Sequence, residues 1–431
     1  MDMQKSEILA ELEKEFIPSE SLETIADKLK EELQERLQCS ANSMIPSHLR
    51  SEPTSGAGGA GGDLLLAIDF GGSNLKFVLF QQLLNGTYST KYMKSFAVEN
   101  KYVDLKFFDR IVEQILGDVE DYLHEYQTCR SNENHRVLTV PVSVTFSFPL
   151  DTHNCVSVMG KNFHLTPLVK CTPLDKILQG AFNTSCIKLK LDKSFKFKIS
   201  KNIINDSIAV HLTNKFTPSV EHDQERNISL ILGTGLNSCF EVPHCTLPKF
   251  KRNPKYGDED GTQNVIVNSE LGFLGADVIR ATQFDVFPTA TLPMPLESIT
   301  AGNALPFVLK NILEFYKIYP ELTIKFNGQV FIDILECRDP KLVFNGVDVD
   351  FLRNIIKIIV RRGSIYLTAA LKAVDSMIGG CEGPITVGYT GSFLAYSKFY
   401  QDQINHYSRG TISLEYMENS SLIGAAIASK I

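Results

Sequence analysis

The chain lacks the marks of several large protein classes. No apolar run approaches the roughly 20 residues that a membrane-spanning helix needs. The opening stretch, MDMQKSEILAELEKEF, is too charged to read as a secretory signal. Positive charge is not in excess: 43 basic residues stand against 50 acidic ones, for a net charge of −7. That balance argues against general nucleic-acid binding. The nine cysteines are odd in number and scattered, with no C-x-x-C pair. They describe a reduced, cytoplasmic protein rather than a disulfide scaffold. Cys239, His244 and Cys245 lie close together, but no second pair completes a zinc-site spacing, so their proximity reads as chance. Two standard nucleotide signatures are also missing. There is no G-x-x-x-x-G-K-[ST] and no G-x-G-x-x-G behind a strand, which excludes a P-loop and a Rossmann fingerprint.

What is present is an alternating chain of 431 residues, too long for one ordinary core, so two domains are expected. Hydrophobic content of 43% can fill both. Residues 6–38 read as helical, with Leu22, Ile25, Ala26, Leu29, Leu33 and Leu37 on one stripe that packs on the body. SEPTSGAGGAGGD, residues 51–63, is a flexible connector. Strands follow near 64–70, 75–80 and 88–96, then a helix over 105–126 and a strand over 137–148. Later come the strand ISLILG, a long helix over 351–378, the strand PITVGY, a helix over 393–407, the strand TISLEYM and a last short helix. This alternation predicts an α/β fold with covered sheets. In KLKLDKSFKFK, residues 188–198, lysine falls mostly at every second position, which reads as one solvated face of a strand. GDEDG, residues 257–261, is too short for a Ca²⁺ loop.

Glycine turns follow strands at three places: DFGGSN, ISLILGTGLN and ITVGYTGSF. The first sits at the tip of a hairpin with Asp69 at the end of its leading strand. It can be a plain turn. It can also grip phosphate, because glycine lets backbone N–H groups approach an anion and a nearby carboxylate can hold Mg²⁺ through water. Asn205 and Asp206, in IINDSIAVHL, sit where a strand gives way to a helix; an N-cap and a general base are both open readings. VNSELGFLGAD carries Asn268 and Glu270, LESITAG carries Glu297, and TFSFP and MGKNF carry Ser147 and Lys161.

In this order and spacing, these stretches resemble the hexokinase family of the actin-like ATPase (ribonuclease H-like) superfamily, with a fungal hexokinase-like protein as the expected type. The resemblance covers nearly the whole chain. It implies a two-lobed α/β hexokinase fold with an interlobe cleft. The expected division is an N-terminal helical segment and connector over 1–63, a small lobe over 64–205 completed by a C-terminal helix at 420–431, and a large lobe over 206–419. It also implies ATP as phosphate donor, Mg²⁺ as cofactor, and a small-molecule sugar as the other partner. Carried over by position, Asp69, Gly71, Gly72, Ser73, Asn74 and Lys76 form the first phosphate hairpin, with Asp69 near the metal through water. Ser147 and Lys161 belong to the small-domain sugar segment, and Lys161 also touches the transferred phosphate. Asn205 and Asp206 are the sugar-binding pair, with Asp206 as base. Gly233, Thr234 and Gly235 form the second phosphate turn, and Asn237 is a sugar contact. Asn268, Glu270 and Glu297 are large-domain sugar contacts. Gly391, Ser392, Ser421 and Gly424 lie on the nucleoside side.

The sequence departs from the family pattern chiefly at the sugar pocket. Gly160 stands where a threonine is usual, Asn162 where a glycine is, Leu271 where an aromatic is, and Met294 where a glutamine is. Thr390 replaces an aspartate, and Lys76 replaces an arginine. The expected activity is transfer to the 6-hydroxyl of a hexose or hexosamine. N-acetylglucosamine is the specific candidate and glucose or mannose the conservative one. The rival reading is a catalytically weak or inactive sugar sensor on the same fold. A chaperone-like or cytoskeletal ATPase of the superfamily fits less well, because that class lacks the sugar-contact motifs.

Overall fold

In a computed structural model of the protein, the described residues are 2–50, 63–71, 74–83, 88–129, 137–148, 150, 154–156, 159, 163–216, 227–252, 263–285, 293–319, 327–338, 347–380 and 383–431. They fall into two units. The first is Met1–Ser51 with Thr217–Glu418, and the second is Glu52–Phe216 with Asn419–Ile431.

The chain opens with helices α1 (Asp2–Phe16) and α2 (Leu22–Cys39), followed by strand β1 (Ile45–Arg50). The single helix expected over 6–38 is therefore two. Pro18 has no N–H to give a helix interior, and Ser21 starts a new helix by accepting the Thr24 N–H at 3.1 Å. The predicted stripe holds: Ile25, Ala26, Leu29, Leu33 and Leu37 are all buried, and Leu22 at its start is partly buried. Lys251 clips the exit of α2, donating from Nζ to the carbonyls of Arg36, Ser43 and Met44 at 3.0, 2.9 and 3.0 Å.

The second unit then builds β2 (Leu64–Phe70), β3 (Asn74–Gln82), β4 (Tyr88–Ala97), β5 (Tyr102–Val103), α3 (Leu105–Cys129), β6 (Leu138–Phe146), β7 (His164–Leu165), α4 (Pro167–Lys170), α5 (Leu174–Lys188), β8 (Phe195–Ile199) and α6 (Asp206–Phe216). Its main sheet has the order β4-β3-β2-β6-β8. The hairpin β2–β3 is antiparallel, while β6 runs parallel to β2 and β8 to β6. The strand period of two sends alternate residues of LLLAI to opposite faces. Leu64, Leu66 and Ile68 pack in the core that α3 and α5 cover. Leu65 and Ala67 pack with Val78 and Phe80 against the last helix of the chain. In β8, Lys196 and Lys198 alternate outward between buried Phe195, Phe197 and Ile199, but the strand face expected over 188–198 is confined to this half, because Lys188 ends α5 and residues 189–194 turn the chain.

The first unit resumes with β9 (Ile228–Leu232), β10 (Leu236–Pro243), β11 (Asn264–Asn268), α7 (Pro295–Thr300), α8 (Leu305–Phe315), α9 (Gly328–Leu335), α10 (Val349–Met377), β12 (Ile385–Thr390), α11 (Ser392–Ala395), α12 (Lys398–Ser408) and β13 (Ile412–Tyr416). The helix expected over 393–407 is broken at Tyr396, and Ser397 caps α12 by accepting the Tyr400 N–H. The sheet order is β1-β11-β10-β9-β12-β13, antiparallel from β1 to β9 and parallel from β9 to β13. Helices α1 and α2 lie on α10. Beneath them, the buried Arg362 guanidinium grips Asp285 with two bonds of 2.7 and 3.2 Å and donates to the Arg280 carbonyl at 2.6 Å. The Phe16 ring covers it, 5.3 Å from centroid to guanidinium carbon.

Helix α13 (Ser420–Ala428) returns to the second unit. It packs on α6 so closely that a Cβ on Gly424 would sit 1.9 Å from the Ala209 carbonyl oxygen. This contact draws α6 into the second unit, so the division falls after Phe216 rather than after residue 205. Residues 1–51 belong with the first unit rather than standing apart. No helix among the described residues is long and apolar enough to cross a membrane.

Candidate active site

The second unit gathers its candidate residues at the ends of β2 and β6 and the start of α6. Asp69 lies opposite Lys76 across the hairpin and beside Thr145 of β6. Its Oδ2 accepts from Ser421 Oγ at 2.6 Å. Thr145 Oγ1 in turn donates to the Ser421 carbonyl at 2.9 Å, fixing the donor. Asp69 as a whole is only partly buried, but its Oδ1 is sealed from solvent and has no hydrogen-bond partner among the described residues. Burial pushes its carboxyl up to about 6. The Ser421 hydroxyl opposes this, the like charge of Asp206 adds to it, and Lys76 opposes it. A carboxylate kept at this cost, one oxygen bonded and the other bare, suits a cation's water shell better than it suits a fold.

Asp206 opens α6, partly buried, and its Oδ1 accepts the Ser207 N–H at 2.9 Å. Asn205 Oδ1 accepts from the same N–H at 2.9 Å and from Ser207 Oγ at 2.7 Å. The helix start is therefore capped mainly by Asn205, while the charge of Asp206 is felt at Asp69. Ser147 follows β6 and donates its N–H to the Phe70 carbonyl at 3.1 Å. Asn74 and Lys76 are exposed on β3. Ser421 proves to be the partner of Asp69. Gly424 packs α13 against α6, a helix crossing that by itself calls for a glycine. Gly72, Ser73 and Lys161 lie outside the described residues, as do Gly160 and Asn162.

The first unit holds a second set. Gly233, Thr234 and Gly235 form the hairpin turn of β9 and β10, closed by the Gly233 N–H to the Gly235 carbonyl at 3.0 Å. The third glycine turn meets the second: β12 runs parallel to β9, and Gly391 follows it with φ +111°. A Cβ there would lie 2.4 Å from the Leu232 carbonyl, so both the backbone angle and the space demand glycine. On β10, at the end of β11 and just past it, three polar side chains are linked. Asn237 Nδ2 donates to Asn268 Oδ1 at 3.0 Å, and Asn268 Nδ2 donates to Glu270 Oε1 at 2.8 Å. Glu270 holds the left-handed backbone, φ +50°, a strained conformation for a side-chain-bearing residue. Glu297 Oε2 accepts the Leu236 N–H at 2.8 Å. Among the described residues, no cluster of three or more His, Cys, Asp or Glu could cage a metal, the Cys239–His244–Cys245 stretch included.

Two of the sugar-pocket departures can be located. Met294 precedes α7, and its Cε methyl lies over Gly272, where a Cβ would come within 2.8 Å. Leu271 is 1% exposed and belongs to the hydrophobic core. Its smaller volume relative to an aromatic is thus a matter of core packing.

A hollow of about 390 Å³ runs along the second and third glycine turns, lined by Gly233, Thr234 and Ser392 together with Asn303, Asn327 and Tyr396. The last three were not anticipated. Each sits next to a helix boundary, and the only signals were the glycines of ITAGN and KFNGQ. The larger hollow of this unit, about 590 Å³ between α1, α10 and α12, contains none of the residues singled out by sequence.

Two family models, both described as hexokinase, match residues 8–216 and 323–431, together about three quarters of the chain. Among curated proteins, N-acetylglucosamine kinase 1 of Candida albicans is 23% identical, over 84% of this chain and 82% of its own. Hexokinase-1 of Schizosaccharomyces pombe is 25% identical, over 80% and 68%. A hexokinase from Schistosoma mansoni solved with glucose shares the fold, with a TM-score of 0.70 at 19% identity over 100% of this chain and 99% of that one.

Proposed function

The chain belongs to the hexokinase family, phosphotransferases acting on a sugar hydroxyl, and from that premise we propose that it carries the γ-phosphate of ATP to the 6-hydroxyl of a hexose or hexosamine. The observation that carries this reading is the linked trio of Asn237, Asn268 and Glu270, with Glu297 bonded to Leu236, the first residue after the glycine turn. Fixed acceptors and donors of this kind recognise a polyhydroxyl ligand, and glycine turns cradle phosphates.

Phosphoryl transfer asks a protein mainly for positioning and charge neutralisation. In this reading the Gly233–Gly235 turn holds the phosphates and Lys161 neutralises the transferred one. Asp206 accepts the proton of the sugar hydroxyl, which is a poor nucleophile unaided. The donor set fits Mg²⁺ bound through water: Asp69 supplies one sealed carboxylate oxygen, and no protein cage is present among the described residues. Bound with the nucleotide, Mg²⁺ would neutralise phosphate charge. Asp206 favours an enzyme over a sensor, since a protein that only binds sugar needs no base.

N-acetylglucosamine is our specific candidate acceptor. It draws support from Met294, an apolar chain in place of an amide near Glu297, and from the likeness to the Candida albicans kinase. A cytoplasmic setting fits the eight described cysteines, all of which are free. A coupled phosphorylation assay across glucose, mannose and N-acetylglucosamine, with several nucleotides, tests the whole reading. Turnover of none of them, with sugar binding intact, would instead establish the sensor.

A further inference from the structure

Helix α7 is fastened to the phosphate turn at both ends. At its start, Glu297 Oε2 accepts the Leu236 N–H at 2.8 Å. Just past its end, Gly302 donates its N–H to the Gly233 carbonyl at 2.9 Å, and Asn303 donates to the Thr234 carbonyl at 3.3 Å. The Glu297 carboxylate also lies flat against the turn: a Cβ on Gly235 would stand 2.8 Å from Oε2. So the side chain assigned to the sugar holds the first residue after the turn assigned to phosphate, and glycine at 235 is what lets it come so close. A backbone N–H bonded to a carboxylate is among the stronger hydrogen bonds, and this one is partly shielded from water.

We propose that Glu297 is a positioning residue for the nucleotide phosphates as well as a sugar contact, so that sugar and nucleotide binding are coupled through the Glu297–Leu236 bond. A sugar hydroxyl donating to the carboxylate holds it in place, and the carboxylate holds the turn. By linkage the effect is reciprocal: an ordered turn presents the carboxylate to the sugar. The inference rests on the sugar-kinase reading for Glu297's contact with the acceptor, but the turn's dependence on Glu297 stands on the geometry alone.

The test measures binary complexes of the full chain. Nucleotide affinity is read with a fluorescent ATP analogue and no sugar present, for the native protein, Glu297→Ala and Glu297→Gln. Alanine removes the acceptor of the Leu236 N–H and should weaken the analogue about tenfold. Glutamine keeps an amide oxygen for that N–H and should recover affinity to within about threefold, while both variants lose sugar affinity. Sugar affinity is then read with no nucleotide present for Gly235→Ala. This change lies in the phosphate turn, yet it should weaken sugar binding about threefold or more by pushing the carboxylate aside. The inference is overturned if Glu297→Ala binds the analogue within twofold of the native protein, or if Gly235→Ala leaves sugar affinity unchanged. Should Glu297→Ala fail to fold, the Gly235→Ala arm decides alone. A protein that phosphorylates no sugar would sink the kinase reading, whereas the sugar-free nucleotide arm would still test the brace.

Discussion

Replacing Asp69 with asparagine separates what this carboxylate does for the fold from what it does for the reaction. The side chain keeps its shape, and an amide oxygen can still accept from Ser421 Oγ, now 2.6 Å from Oδ2. What disappears is the charge. In the folded chain the Asp69 carboxyl is pushed up to about 6, first by burial; in the unfolded chain it titrates near the ordinary aspartate value of 3.8. Below the unfolded value both states hold the proton and the group costs nothing. Between the two values the folded state binds more protons, so stability falls as pH rises. Above the folded value the full loss is present. About two pH units correspond to about 3 kcal/mol at most, and relaxation of the site reduces this to about 1–3 kcal/mol. Asp69→Asn should therefore be more stable than the native protein at pH 8 by that amount. For a unit of this size this raises Tm by several degrees, at about 2–4 °C per kcal/mol. At pH 5 the advantage should shrink to about half. Turnover should meanwhile fall at least about 100-fold, and adding Mg²⁺ with nucleotide should raise the Tm of the native protein far more than that of the variant. Paired thermal melts at pH 5 and pH 8 check this. An asparagine variant that melts below the native protein at pH 8, or by the same offset at both pH values, would refute the account of Asp69 as a strained anion kept for a cation.

Asp206→Ala should lower turnover about 10²–10⁴-fold with little change in nucleotide affinity; near-normal turnover in a single-turnover assay would remove it as the base. Asp285→Ala strands the buried Arg362 guanidinium and should cost about 3–5 kcal/mol in denaturant unfolding, whereas replacing both partners with apolar residues should cost less. Gly424→Ala puts a Cβ into the Ala209 carbonyl and should loosen α13 from α6, read as early proteolytic cleavage near the C-terminus; an unaltered digest would contradict the packing role. Met294→Gln should shift the ratio of specificity constants toward glucose over N-acetylglucosamine by about fivefold or more, the worth of one regained hydrogen bond. An unchanged ratio would take Met294 out of the acceptor argument.

How far such a chain can be read from its sequence depends on whether a residue's type restricts its job. Alternation in LLLAI and the stripe on α2 leave a leucine few places to go, and both are found as expected. Asp69 was legible because an acid at the tip of an apolar hairpin is costly without a use. Glycine is less restrictive. The same lack of a Cβ serves a positive φ at Gly391 and a helix crossing at Gly424, and the resemblance places both on the nucleoside side. The break at Pro18 was hidden because apolar periodicity resumes beyond it with the same spacing. Asn303, Asn327 and Tyr396 were missed because polar and aromatic residues at helix boundaries are common for capping reasons alone. The bond from the Leu236 N–H to Glu297 was the least visible of all. It spans 61 residues, and its donor is a main-chain group that every residue but proline carries. Side chains announce which ligands a site can touch. The main-chain bonds that tie one set of residues to another leave no trace in residue type, and so the coupling proposed between sugar and phosphate had to come from the fold.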